Sequence, residues 1–198
     1  MRAGSAITGG PENLLLYAAF AQLGTQYYEI PSESPALISD GFIFEQTLLQ
    51  KGMGTFMAVA SGAVILSGAG SLDGGLASSL TQLAIDDEIV QFMQRVGAGF
   101  DVDYERSGID AVDQAGPNGS FMASAHTYKH FRDEIRFYPN LLDFNSYAVW
   151  SEDPKGLYER AEKRVADILK RHEVPPLEDA VVSELERILK AADREILS

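Results

Sequence analysis

Four groups of residues in this sequence have the types and spacing that could do chemistry. The first is Gly68-Ala69-Gly70-Ser71-Leu72-Asp73-Gly74-Gly75, placed between an apolar run and a helix-forming stretch. Glycines in such a loop permit positive φ and let backbone come close to a ligand. A dinucleotide fingerprint needs a third glycine where Asp73 stands, and no lysine follows as a phosphate-binding P-loop requires. Asp73 also puts negative charge where a phosphate would lie, so a strand-end loop shaping a site is the better account. The second group is His126-Thr127-Tyr128-Lys129-His130. On a helix the two histidines lie four apart on one face with Glu134 four further on, a geometry that could hold a metal for hydrolysis. The general base of an H-E-x-x-H site is missing, and a hydrogen-bonded or exposed histidine is the commoner outcome. The third group is aromatic: Tyr27, Tyr28, Phe42, Phe44, Phe121, Tyr128 and Trp150. Aromatic faces attract quaternary ammonium groups, and aromatic rings also fill cores. Carboxylates at Asp40 and Glu45, and at Asp86, Asp87 and Glu88, suit acid–base work, although at least one of the latter three should face solvent. No Ser-His-Asp order or nucleophile elbow is present.

The elements that must position these groups follow from periodicity and punctuation. Residues 1–10 read as a Gly-rich loop, and Pro11 opens a helix with an apolar face from Leu14 to Leu23, stopped at Gly24. Tyr27, Tyr28 and Ile30, closed by Pro31, predict a short strand, followed by a loop over 32–40. Helices are predicted over Phe42–Met57, Ser79–Met93, Ile109–Gln114 and His126–Phe137. The unbroken apolar run Ala63 to Leu66 fits a strand buried on both faces, as in a parallel sheet. Ser120–Ser124 is expected to be a third strand, after a turn at Gly116-Pro117-Asn118-Gly119. Two charged amphipathic helices over 155–172 and 177–196 flank Pro175-Pro176, with pairs such as Glu159 and Lys163 four apart. Alternating strands and helices argue for an α/β class with parallel strands. Three strands, at 27–30, 63–67 and 120–124, are far short of the eight of a (β/α)8 barrel.

Composition narrows the partners. The 198 residues are 45% hydrophobic and 23% charged, ordinary globular values. There is no cysteine, which removes disulfides, thiolate metal sites and a cysteine nucleophile together. The net charge of −13, from 16 basic and 29 acidic residues, argues against nucleic acid as a partner. No apolar stretch is long enough for a bilayer and no secretory leader pattern opens the chain, so a cytoplasmic protein without a membrane partner is expected.

Several segments, in order, resemble the C-terminal part of the trimethylamine methyltransferase family. Met1-Arg2-Ala3-Gly4 through Gly10-Pro11-Glu12 is similar to the family's M-R-S-G…G-x-P-E loop. Ala18-Ala19…Gln22-Leu23…Tyr28…Pro31 follows, then Ser39-Asp40 with Glu45-Gln46 in place of S-D/N…D-Q. Gly70 to Leu76 resembles G-W-L-E-G-G-L, Ile85-Asp86-Asp87-Glu88 the V/I-x-D-x-E helix, and Gly116 to Phe121 the G-P-G-G-x-F turn before Ala125-His126-Thr127. Tyr138-Pro139, Leu141-Leu142-Asp143, Trp150 and Pro175-Pro176-Leu177 complete the match.

The resemblance implies the C-terminal portion of a (β/α)8 barrel, incomplete over 1–150, with 151–198 as its helical extension. It implies a methyltransferase that passes a methyl group from a methylated, quaternary amine to a corrinoid protein. The cobalamin is carried by that partner and not bound by this chain. Only standard residues occupy the Ser39–Glu45 loop, which points to the non-pyrrolysine type. Substrate contacts are expected at Tyr28, Asp40, Gln46, Ser67 and His126, with no metal. Leu66, Ser67 and Ser71 stand where relatives often carry His, other polar residues or Trp. Met1 matches an internal methionine of the family, so the chain by itself is expected to be inactive. The alternative is a non-catalytic split-gene subunit or degenerate fragment that associates with a complementary N-terminal half-barrel or with its own copies.

Overall fold

Pro11 opens helix α1 (Pro11–Gln22) at a position where its missing N–H costs nothing. Here and below, the structure is a computed structural model that describes residues 6–42, 44–135 and 139–196. The Met1–Gly4 motif, Phe137 and Tyr138 lie outside the described residues.

α1 does not stop at Gly24. Leu23–Tyr27 continues as a π-helical turn, closed by Tyr28 N–H donating to Leu23 O at 3.1 Å. Gly24 fits against Ser32, whose Cβ would lie 3.2 Å from a Cβ added to the glycine. The strand expected over 27–30 therefore does not form. Local bonding already uses backbone groups that a ladder would need, and it outweighs the strand preference of the tyrosines.

The chain extends later, at β1 (Glu33–Ser34). It crosses through α2 (Phe44–Ser61) and pairs in parallel with β2 (Ile65–Leu66), in the register Glu33 with Ile65 and Ser34 with Leu66. Parallel neighbours require such a crossover, so 33–66 is one βαβ unit. The expected strand over 63–67 is thus present, shortened to two residues. Beyond it, β3 (Ser71–Leu72) and β4 (Ala77–Ser78) form a small antiparallel hairpin. Ser79 then caps α3 (Leu80–Gly97), its Oγ accepting from Gln82 N–H at 3.3 Å, a contact worth about 1 kcal/mol.

Residues 104–134 carry α4 (Tyr104–Ser107), α5 (Ile109–Ala115) and α6 (Ala125–Glu134). The strand expected over 120–124 is a turn instead, with Ser124 N–H bonded to Phe121 O at 3.1 Å. Asn118 and Gly116 at positive φ redirect the chain just before it. α7 (Tyr147–Trp150) and α8 (Leu157–Arg171) follow. The core joins Ile85 of α3, Leu141 and Ala161 of α8, with Phe44, Leu48 and Leu157 packed around them.

Contacts divide the chain into two units, Met1–Val165 and Ala166–Ser198. The second holds the end of α8 and helix α9 (Asp179–Ile196), which carries its own ion pairs, Arg187 with Glu184 and Lys190 with Glu186. The described elements make a mostly helical α/β fragment whose strands are too few to close a sheet on itself. No helix among the described residues is long and apolar enough to cross a membrane.

Candidate functional site at the strand ends

β1 and β2 run side by side in the same direction, so the loops at their C-terminal ends, 35–41 and 67–76, emerge together. They are bonded to each other. Leu37 N–H donates to Ser67 O at 3.1 Å, Gly74 N–H to Ser39 O at 2.8 Å and Ser71 Oγ to Leu37 O at 3.2 Å. Gly68, at φ +92°, lies so close to Ile38 that an added Cβ would come within 2.4 Å of its Cγ1. The glycine-rich loop therefore serves as a close-packed strand-end turn, as the sequence favoured, and not as a phosphate cradle.

Each loop is fixed by a carboxylate. Asp40 accepts from Thr8 N–H, Thr8 Oγ1 and Gly9 N–H, all at 2.7 Å, and from Gln50 Nε2 at 3.2 Å. Burial pushes this carboxyl up, but the hydrogen bonds from Thr8, Gly9 and Gln50 together outweigh it and hold the group below its ordinary value. Asp86, fully buried on α3, accepts from Lys51 Nζ at 2.6 Å and Gly70 N–H at 2.7 Å on one oxygen, and from Gln82 Nε2 at 2.7 Å on the other. Burial pushes Asp86 up and Lys51 down, against the hydrogen bond and charge attraction between them. Glu88 holds a third segment, accepting the consecutive N–H groups of Asn140, Leu141 and Leu142 at 2.9–3.1 Å. Asp87, between them, is exposed as expected of at least one member of that cluster.

Of the five expected substrate contacts, Asp40 and Ser67 stand together at this end of the strands. Gln46, exposed on the first turn of α2, joins them by packing on Gly41, where an added Cβ would meet its Cδ at 2.8 Å. Tyr28 does not, because the strand begins at Glu33 and not before it. It lies on the approach to β1, exposed and edge-on to Tyr27 with ring centroids 4.9 Å apart. His126 lines a different pocket of about 190 Å³ with Tyr104, Glu105, Gly108 and Asp110, its Nε2 2.8 Å from Glu105 O. His126 and His130 do lie side by side, their rings tilted by 44° with centroids 4.6 Å apart, but Glu134 turns to Arg95 and Arg106 at 3.8 and 3.7 Å. Among the described residues no three His, Cys, Asp or Glu side chains gather to hold a metal ion.

Of the aromatic set, Phe42 is the ring on a strand-end loop, 65% exposed, whereas Phe44 packs edge-on to Tyr158 in the core. Residues 32–50 and 67–80 contain Glu33, Asp40, Glu45 and Asp73 and no Lys, Arg or His. Lys51 and Gln82 were missed by sequence reasoning. A signal existed for Lys51, which has no acidic residue three or four positions away on its own helix.

A family model described as Trimethylamine methyltransferase (MTTB) matches residues 1–196. Trimethylamine methyltransferase MttB2 of Methanosarcina mazei is 31% identical over 196 residues, which is 98% of this chain and 39% of the relative. Trimethylamine methyltransferase MttB of Methanosarcina barkeri is 30% identical over the same shares. Glycine betaine methyltransferase of Desulfitobacterium hafniense is 29% identical over 198 residues, 99% of this chain and 41% of the relative. The chain thus spans about two fifths of the length of these relatives. With a match that runs through the strand-end loops and both helices that hold them, the chain belongs to the trimethylamine methyltransferase family.

Proposed function

We propose that this chain supplies one part of a (β/α)8 barrel that passes a methyl group from a methylated amine, of quaternary type, to a corrinoid protein. The observation that carries this is the pairing of the two strand-end loops within a segment matched by the family from end to end. In barrels of this kind the pocket is built from loops at strand C-terminal ends. Phe42 offers an open ring face to a quaternary nitrogen, and the carboxylates Glu45 and Asp73, in segments without Lys, Arg or His, make the rim attractive to a cation. Asp40, Gln46 and Ser67 are proposed as substrate contacts at this rim. Tyr28 and His126 would join them only through parts of the barrel that this chain does not span.

The rim formed by Ser67, Gly68 and Ala69 is small-chained, with Ala69 exposed, which fits the approach of a large macrocycle held on another protein. A corrinoid carried by the partner would supply the nucleophile for the methyl carbon, with the amine released in neutral form. The residues of this chain bind and orient the ammonium and shape the opening through which the partner reaches it.

A second version of the proposal, a subunit that works only with a complementary half-barrel, is favoured by exposed apolar surface. Ile65 of β2 is 53% exposed, and Leu15, Leu16 and Phe20 on α1 and Leu49, Met53 and Phe56 on α2 are exposed too. Unpaired strand edges and open apolar faces favour association.

Methyl transfer from trimethylamine and from glycine betaine to a corrinoid protein tests both versions. The chain is assayed alone and together with the upstream three fifths of a relative. Transfer only with the complement is expected. Transfer by the chain alone would overturn the need for a complement, and no transfer in either arm would overturn the methyltransferase proposal.

A further inference from the structure

Gly70 is gripped from both sides by one helix. Its carbonyl accepts Ser79 N–H at 2.9 Å, just before α3, and its N–H donates to Asp86 Oδ2 at 2.7 Å, two turns further along. It has φ +78°, and a Cβ there would stand 3.2 Å from Leu83 Cβ and 3.3 Å from Ser79 O. The same Asp86 oxygen takes Lys51 Nζ from α2, and Gln82 Nε2 holds the other oxygen in plane. Among the described residues three donors hold this carboxylate, and one of them, Gly70, belongs to the rim loop. A buried ion pair adds little net stability over well-packed apolar side chains, whereas it does impose direction.

We infer that Asp86 is a positioning residue for the proposed amine pocket: it sets where the Ser67–Gly70 rim stands, with Lys51 present to neutralise it. This rests on the proposed function for its purpose, but its geometry is testable independently. Asp86 acts through the Gly70 N–H and needs no contact with substrate. Two consequences follow. An oxygen at this place should preserve the rim even when the charges are gone, and an apolar side chain of the same size should not.

Two double variants of the full chain separate these cases. Lys51→Met with Asp86→Asn keeps an acceptor facing Gly70, and Lys51→Met with Asp86→Leu removes it. Hydrogen exchange by NMR is expected to show the Gly70 amide about tenfold or more faster in the Leu variant than in the Asn variant. Amides in the middle of α2 and α3 should exchange alike in both. Equal Gly70 rates, or Gly70 changing only in step with the helices, would overturn the inference and leave a purely structural pair. Should neither variant fold, the unaltered chain still decides. Gly70, though in a loop, should be protected as strongly as amides of α3, and a fast-exchanging Gly70 would overturn it. Glycine betaine binding is titrated on the same variants combined with the upstream three fifths of a relative, where about tenfold weaker binding by the Leu than by the Asn variant is expected. No binding by the unaltered chain together with that complement would count against the proposed function, while the Gly70 result stands separately.

Discussion

Asp86 and Lys51 are both wholly buried, and the environment of each makes the other indispensable. Removing one leaves an uncompensated charge in the core, so Lys51→Ala or Asp86→Ala alone should each cost about 3–5 kcal/mol in urea unfolding. Joint replacement by Met and Leu should cost far less than the two single changes added together. Additive losses would mean that the two charges do not share one buried environment. Asp40 lends itself to a pH test. Its folded-state pKa lies below the ordinary 3.8, so its stabilisation is fully present above that value and is lost as pH falls through the folded pKa. The stability gap between the unaltered chain and Asp40→Asn should therefore be widest at neutral pH and close in acid. A gap that widened on acidification would contradict the hydrogen bonds from Thr8 and Gly9.

At the scale of the element, α2 forms over most of the span expected of it but buries an unexpected face. Its buried face is Thr47, Lys51, Gly54, Thr55, Ala58 and Ser61, all small apart from the paired lysine. Leu49, at 67% exposure, and Phe56, at 43%, look away from the protein. The small residues let backbone come close: a Cβ on Gly54 would stand 2.5 Å from Ala36 O, in the loop that follows β1. Gly52, two residues away, has nothing within 4 Å of its added Cβ. Gly52→Ala should thus stabilise the chain by up to about 1 kcal/mol through helix propensity. Gly54→Ala should destabilise it by about 1–3 kcal/mol, since the rigid neighbour is backbone. Thermal melts of the two variants check this, and shifts of the same sign would refute the close approach.

For the molecule as a whole, the faces of α1 and α2 leave apolar side chains exposed, as the proposal of a complementary half-barrel requires. Leu49→Ser and Phe56→Ser should leave the stability of the isolated chain within about 0.5 kcal/mol, because these side chains bury little in it. The same changes should weaken capture of a complementary half-barrel in a pull-down or by calorimetry. If they unfolded the isolated chain instead, the apolar face would belong to its own core. Contrasting effects on stability and on association are the signature of an interface.

Much of this was legible in the chain alone. Pro11, Ser79 and the spacing of Leu80, Leu83, Ile85 and Ile89 mark helices that form nearly where expected, because caps and periodicity are local properties. The run ending at Leu66 and the glycines after it likewise specify a strand and its turn, and the ordered motifs specify the family. Tertiary structure alone decided that Glu33 and Ser34, with no strand signature, pair with Ile65 and Leu66. Pairing is a contact between segments thirty residues apart, and no local preference encodes it. The same holds for Lys51 and Asp86: a charge in a helix reads as surface until the partner that neutralises it is brought alongside.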